Sequence, residues 1–92
     1  MTKIADLKNK LMSNPEFRTE YEKADAEFQL IEALVGARTR ANLSQAEVAR
    51  RVGTTQSAIA RLEGGGVSPS VATLRRYAEA TGAKLEINLT ST

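Results

Sequence analysis

The sequence predicts a mainly α fold, a bundle of five to six helices followed by one C-terminal β-strand, and three observations predict it. Apolar residues recur at helical spacing through most of the chain. Helix-starting and helix-stopping residues divide that pattern into segments, and residues 84–89 alone switch to strict alternation. With 92 residues, 41% hydrophobic and 26% charged, the chain has the size and composition of one globular domain. Its core must be aliphatic, because only Phe17, Tyr21, Phe28 and Tyr77 are aromatic. A domain this small is expected to gain stability by association.

Ile4, Leu7 and Leu11, spaced i, i+3 and i+7, predict a short amphipathic first helix ending near Ser13. Asn14 then offers a cap and Pro15 a first helical residue whose missing N–H costs nothing. From there Phe17, Tyr21, Ala24, Phe28, Ile31 and Val35 form one apolar stripe that reaches about Ala41. A single helix of that length is unusual in so small a domain, so a break is expected near Lys23 to Asp25, with Asp25 capping a new helix.

Ser44-Gln45-Ala46-Glu47 reads as a capping box, in which hydroxyl and carboxylate each satisfy the other residue's backbone N–H, with Leu43 and Val48 as a hydrophobic staple. That helix runs to Val52 and stops at Gly53. A second short helix is expected from Thr55 or Gln56 to Glu63, ended by Gly64-Gly65-Gly66 at roughly 1 kcal/mol of helix-opposing cost per glycine. Ser68-Pro69-Ser70 opens another, with Val71, Leu74, Tyr77 and Ala78 inward and Gly82 as its stop. In the alternating stretch Lys84 to Leu89, Leu85, Ile87 and Leu89 share one face. A lone strand cannot satisfy its own ladder, so its mate is expected in a second copy, paired antiparallel across a two-fold axis.

Composition narrows the function. Neither cysteine nor histidine is present, which removes disulfides, thiolate or imidazole metal sites, cysteine nucleophiles and Ser-His-Asp hydrolysis, and points away from an enzyme. No metal or cofactor is expected. The longest apolar runs, such as Ala33-Leu34-Val35, span a few residues, so no membrane span or signal-peptide core is expected and the protein reads as cytoplasmic. Charge is uneven: residues 1–35 carry five basic and seven acidic side chains, a net −2, whereas residues 36–92 carry eight basic and four acidic, a net +4. Seven of those eight cations are Arg, as suits a polyanion binder, although a solvated helical face looks similar.

Two short helices joined by a glycine turn must pack steeply, with Val48, Ala49, Gly53, Ile59 and Leu62 inside and Gln56, Ser57, Ala60 and Arg61 outside. The stretch Leu43 to Gly66, with Ser-Gln-Ala-Glu-Val-Ala and Gly-Thr-Thr-Gln-Ser-Ala-Ile-Ala-Arg-Leu-Glu, followed by Ser-Pro-Ser-Val-Ala-Thr-Leu, resembles the phage-repressor-like (Xre, Cro-type) helix-turn-helix family. The likeness covers about Ala33 to Gly82. The segment Asn14 to Tyr21 and the stretch Lys84 to Leu89 narrow it toward HigA-type antitoxins of type II toxin-antitoxin modules.

That resemblance implies a homodimeric repressor of double-stranded DNA, bound at a palindromic operator, that also neutralises a RelE/HigB-like ribonuclease toxin. It places DNA contacts at Gln45, which touches phosphate and braces the recognition helix, and at the base-reading pair Gln56 and Ser57. Residue chemistry agrees, since Gln can bond adenine N6 and N7, and Arg61 can reach guanine or a phosphate. Thr55 and Ser68 can offer hydroxyl or N–H groups to phosphates. Ile4, Leu7, Leu11, Phe17 and Tyr21 are toxin-facing candidates, with packing as their ordinary alternative. The chain is then read as a partner-binding extension (1–32), a DNA-binding unit (33–82) and a dimerisation strand and tail (83–92). A phage or host repressor with no toxin is the competing reading.

Overall fold

The first described helix begins where Asn14-Pro15 predicts and runs for 26 residues without interruption. The computed structural model describes residues 15–91, without the side chains of residues 16–19 and 21. Four helices occur among the described residues: α1 (Pro15–Arg40), α2 (Gln45–Val52), α3 (Gln56–Gly64) and α4 (Val71–Thr81).

Two elements of the predicted architecture are corrected. The break near Lys23 to Asp25 is absent: the Asp25 carboxylate accepts from Gln29 Nε2 one turn later, at 3.1 Å, and so works along the helix rather than starting one. Ala24, Ala26, Glu27, Gln29 and Leu30 are strong helix formers, and neither glycine nor proline interrupts the run. The C-terminal strand is absent too, so the five- to six-helix bundle with a strand gives way to four helices and no strand among the described residues. Alternation by itself supplies no ladder, and, among the described residues, 84–89 have no neighbouring extended backbone to pair with. Leu85 is half-buried, lining a cleft with Leu30, Leu74 and Tyr77, whereas Ile87 and Leu89 are 60% and 97% exposed. The predicted helix carrying Ile4, Leu7 and Leu11 lies outside the described residues.

Helix ends follow local chemistry closely. α1 closes on Asn42, which takes the left-handed φ of 58°. Its N–H donates to Thr39 O, while the Leu43 N–H reaches back to Arg38 O, the double hydrogen bond of a Schellman stop. The Ser44–Glu47 capping box forms as predicted, with Ser44 Oγ accepting at 3.1 Å and the Ser44 N–H donating at 3.2 Å. The Ser44 backbone N–H, followed by its side chain, holds the Glu47 carboxyl below its ordinary pKa. Gly53 ends α2 at φ 85° with open space around its Cα, so a side chain there would be opposed by backbone conformation and not by a clash.

The core is a single aliphatic cluster around one tyrosine. Leu34 of α1, Leu43, Val48 and Ala49 of the α2 region, Ile59 and Leu62 of α3, and Tyr77 and Ala80 of α4 are buried together. α2 and α3 pack on each other most closely, and α1 and α4 cover their inner faces. No helix among the described residues is long and apolar enough to cross a membrane. Along α1 burial begins only at Leu30. The preceding turns, among the residues whose side chains are described, are exposed and form an arm beyond the core.

Candidate nucleic-acid interface

α3 has two faces of opposite character, set by its sequence. Ile59, Leu62 and Glu63 are buried, while Gln56, Ser57, Ala60, Arg61 and Gly64 form a continuous exposed stripe at spacings of three, four and one. The stripe opens on a firmly capped end: Thr55 Oγ1 accepts from the Ala58 N–H at 3.1 Å. Thr55 therefore acts first as the cap of α3, and its hydroxyl proton and one lone pair are left for any ligand.

Beneath the stripe lies the feature that fixes its orientation. Glu63, 7% exposed, is the junction of all the elements around it. Arg38 of α1 donates from Nε to both carboxylate oxygens (2.9 and 3.1 Å) and from Nη2 to Oε1 (3.0 Å). Gln45 Nε2 of α2 lies 3.2 Å from Oε1, and the Tyr77 hydroxyl of α4 lies 2.7 Å from Oε2. The same hydroxyl is 2.8 Å from Leu34 O, so its one proton is divided between two acceptors. Arg38 Nη1 also donates to Leu43 O at 3.0 Å, tying the end of α1 to the start of the α2 cap.

This arrangement explains the direction of each pKa. Burial pushes the Glu63 carboxyl up, but the combined hydrogen bonds of Arg38, Tyr77 and Gln45 bring it below its ordinary value. Arg38 is raised, first by its hydrogen bond to Glu63. Tyr77 is raised by burial and then by the carboxylate beside it. Glu63 is ionised and Tyr77 neutral near pH 7, so the junction is an ion pair with a neutral donor.

The structure places the sequence-derived candidates as follows. Gln56, Ser57 and Arg61 share the exposed stripe of α3, and Arg61 has no acidic partner among the described residues. Gln45 is half-buried at the start of α2 and bonded to Glu63 of α3, which gives it the bracing position expected of it. Ser68 is exposed in the loop between α3 and α4, apart from the stripe, and the Ser70 hydroxyl caps α4 by accepting from the Thr73 N–H. Phe17 and Tyr21 lie on α1 in the arm, while Ile4, Leu7 and Leu11 lie outside the described residues. Of the other cations, Arg51 caps the end of α4 through Ala80 O at 3.0 Å, whereas Arg50, Arg75 and Arg76 are exposed.

The reading of the sequence missed Arg38, Glu63 and Tyr77 as a unit. One signal was present: Glu63 is four residues from Ile59, on the face that must be buried, and a buried carboxylate requires a cation. The identity of that cation, 25 residues away in sequence, has no local pattern.

Four helices with a capped, glycine-turned pair and an exposed second helix define a helix-turn-helix domain of the DNA-binding class. The chain belongs to the helix-turn-helix family, whose family model matches residues 37–88. It is similar to the antitoxin HigA1 of two strains of Mycobacterium tuberculosis, each 35% identical over 79 residues that cover 86% of this chain and 53% of the relative. The likeness to HigA-type antitoxins expected from the sequence is thus found in these relatives, and the chain spans about half their length. No solved structure matches the chain.

Proposed function

We propose that the chain is a sequence-specific DNA-binding repressor that serves as the antitoxin of a type II toxin-antitoxin module. The observation that carries the DNA-binding half is the α3 stripe, a row of Gln, Ser and Arg side chains exposed on a helix whose opposite face is locked by Glu63, Ile59 and Leu62. Such a helix enters the major groove with Gln56 and Ser57 at base edges, Arg61 at guanine or a phosphate, and Gln45, Thr55 and Ser68 along the backbones. The experiment is the salt dependence of duplex binding. Arg61→Ala is expected to weaken binding to all sequences and to reduce the slope of log K against log salt by about one unit. An unchanged slope removes Arg61 from the phosphate contacts.

The antitoxin half is supported by the two HigA1 relatives and by the acidic arm, which groove docking does not require. The partner is a RelE/HigB-like ribonuclease, captured by residues 1–32 while residues 33–82 hold the DNA; regulation of its own operon follows from joining the two. The role is regulatory, with neither catalysis nor a cofactor, and its DNA target places it in the cytoplasm.

Reading a palindromic operator requires two copies, with recognition helices about 34 Å apart. Ile87, which lines a cleft with the 47% exposed Val71, and Leu89, also apolar and exposed, are the residues through which two copies associate, by side-chain packing and without a strand. Leu85 turns toward its own chain. Sedimentation at micromolar concentration is expected to give a dimer, and Ile87→Lys a monomer. A dimer unaffected by Ile87→Lys moves the interface elsewhere.

A further inference from the structure

Gln45 borders only one flank of α3. At about 100° per residue around the helix, Glu63 lies beyond Gln56 on one side of the exposed stripe, and Ala58 lies beyond Arg61 on the other. Gln45 is bonded to Glu63 and so stands on the first side. The second side is met by α4, where Arg76 lines a cleft with Thr54 and Ala58 between walls of Val52, Ile59 and Leu62. Its neighbour Arg75 lines a different cleft, with Val71, Glu79 and Ile87, whose walls include no residue of α3. The fold thus gives two consecutive arginines different surroundings, and only one of them borders the stripe.

The charge of Arg76 is open to a ligand. The residue is exposed and makes no ion pair among the described residues, and Glu79, one turn further along α4, lines the other cleft. Thr54, exposed at the turn between α2 and α3, adds a hydroxyl on the same rim. The geometry of a groove then selects the ligand. A helix with its side chains is about 10–12 Å across and the major groove about 12 Å wide, so a seated helix has one phosphate backbone along each flank. A guanidinium suits such a phosphate, because its planar fork can donate two parallel hydrogen bonds.

We infer that Arg76 binds a phosphate on the DNA strand opposite the one that Gln45 meets, so that α3 is held in the groove from both sides. This rests on the reading of α3 as the DNA-binding helix. The contact carries no base preference of its own and fixes the seating from which Gln56 and Ser57 reach the bases.

The test uses the full chain, a random-sequence duplex and a duplex site enriched by binding to the chain. Arg76→Ala is expected to weaken binding to random duplex by about tenfold and to reduce the slope of log K against log salt by about one unit for each copy bound. Arg76→Lys keeps the charge and should keep the slope, whereas Arg75→Ala should leave the slope unchanged and the affinity within about twofold. On the enriched site, single phosphates are replaced by uncharged methylphosphonates. One replacement in each half-site should weaken the unaltered chain but not Arg76→Ala, and another, on the opposite strand, should weaken the unaltered chain but not Gln45→Ala. A slope unchanged by Arg76→Ala, an equal reduction by Arg75→Ala, or the absence of two such phosphates on opposite strands overturns this inference alone. An unaltered chain that binds no duplex overturns the DNA-binding reading and this inference with it.

Discussion

Replacing Glu63 with alanine is expected to lower the unfolding free energy by about 3–5 kcal/mol, the cost of removing one member of a buried ion pair. Arg38 would keep its charge with only 16% of its side chain exposed, and Gln45 and Tyr77 would each lose an acceptor. Domains of this size have total stabilities of about 5–15 kcal/mol, so the melting temperature should fall by roughly 15–30 °C. Thermal denaturation followed by circular dichroism measures it, and a fall of only a few degrees would show that the junction does not hold the helices together.

The same residue contributes, with Glu47, to the protein's acid limb. The folded carboxyl titrates below its unfolded value, so Glu63 contributes its full stability above the ordinary carboxylate range of about 4.3 and loses it as the pH falls through the folded value. Tyr77 acts in the opposite sense. Its folded pKa is raised, so its contribution is complete below about 10 and is lost as the pH rises through the folded value. Glu63→Gln, which keeps the volume, should flatten the acid limb while costing less than alanine.

What could be read from the sequence was what local chemistry decides. The Ser44–Glu47 box, the stops at Gly53 and Gly82 and the inner-face residues Val48, Ala49, Ile59 and Leu62 each depend on neighbours a few positions away, and each is found where the spacing puts it. The reading failed where the deciding partner is distant or where a general expectation overrode local preference. α1 continues through Asp25 because Gln29 and the alanines favour it, whatever helix length is usual. The alternation of residues 84–89 was real as a pattern, yet it could not create the neighbouring backbone a strand requires. The junction at Glu63 was missed because its partners come from three other helices.

The second large effect concerns recognition. Gln56 stands exposed at the first turn of α3, directly after the Thr55 cap, on a helix whose roll is fixed by Glu63. A glutamine there can bond adenine N6 and N7 at once, a contact worth about 1–3 kcal/mol of discrimination against the wrong base. Gln56→Ala is therefore expected to weaken binding to the preferred site by roughly 5- to 150-fold while leaving binding to random duplex almost unchanged. It removes no buried contact, so the fold should be intact.

The most direct measurement is selection of bound sites from a pool of random duplexes, run in parallel with the unaltered chain and with Gln56→Ala. The unaltered chain should enrich a two-fold symmetric site with half-sites about one helical turn apart, and Gln56→Ala should relax the preference at one adenine-containing position in each half-site. Enrichment of no site, or of the same site with the same preferences by both proteins, would contradict α3 as the element that reads DNA.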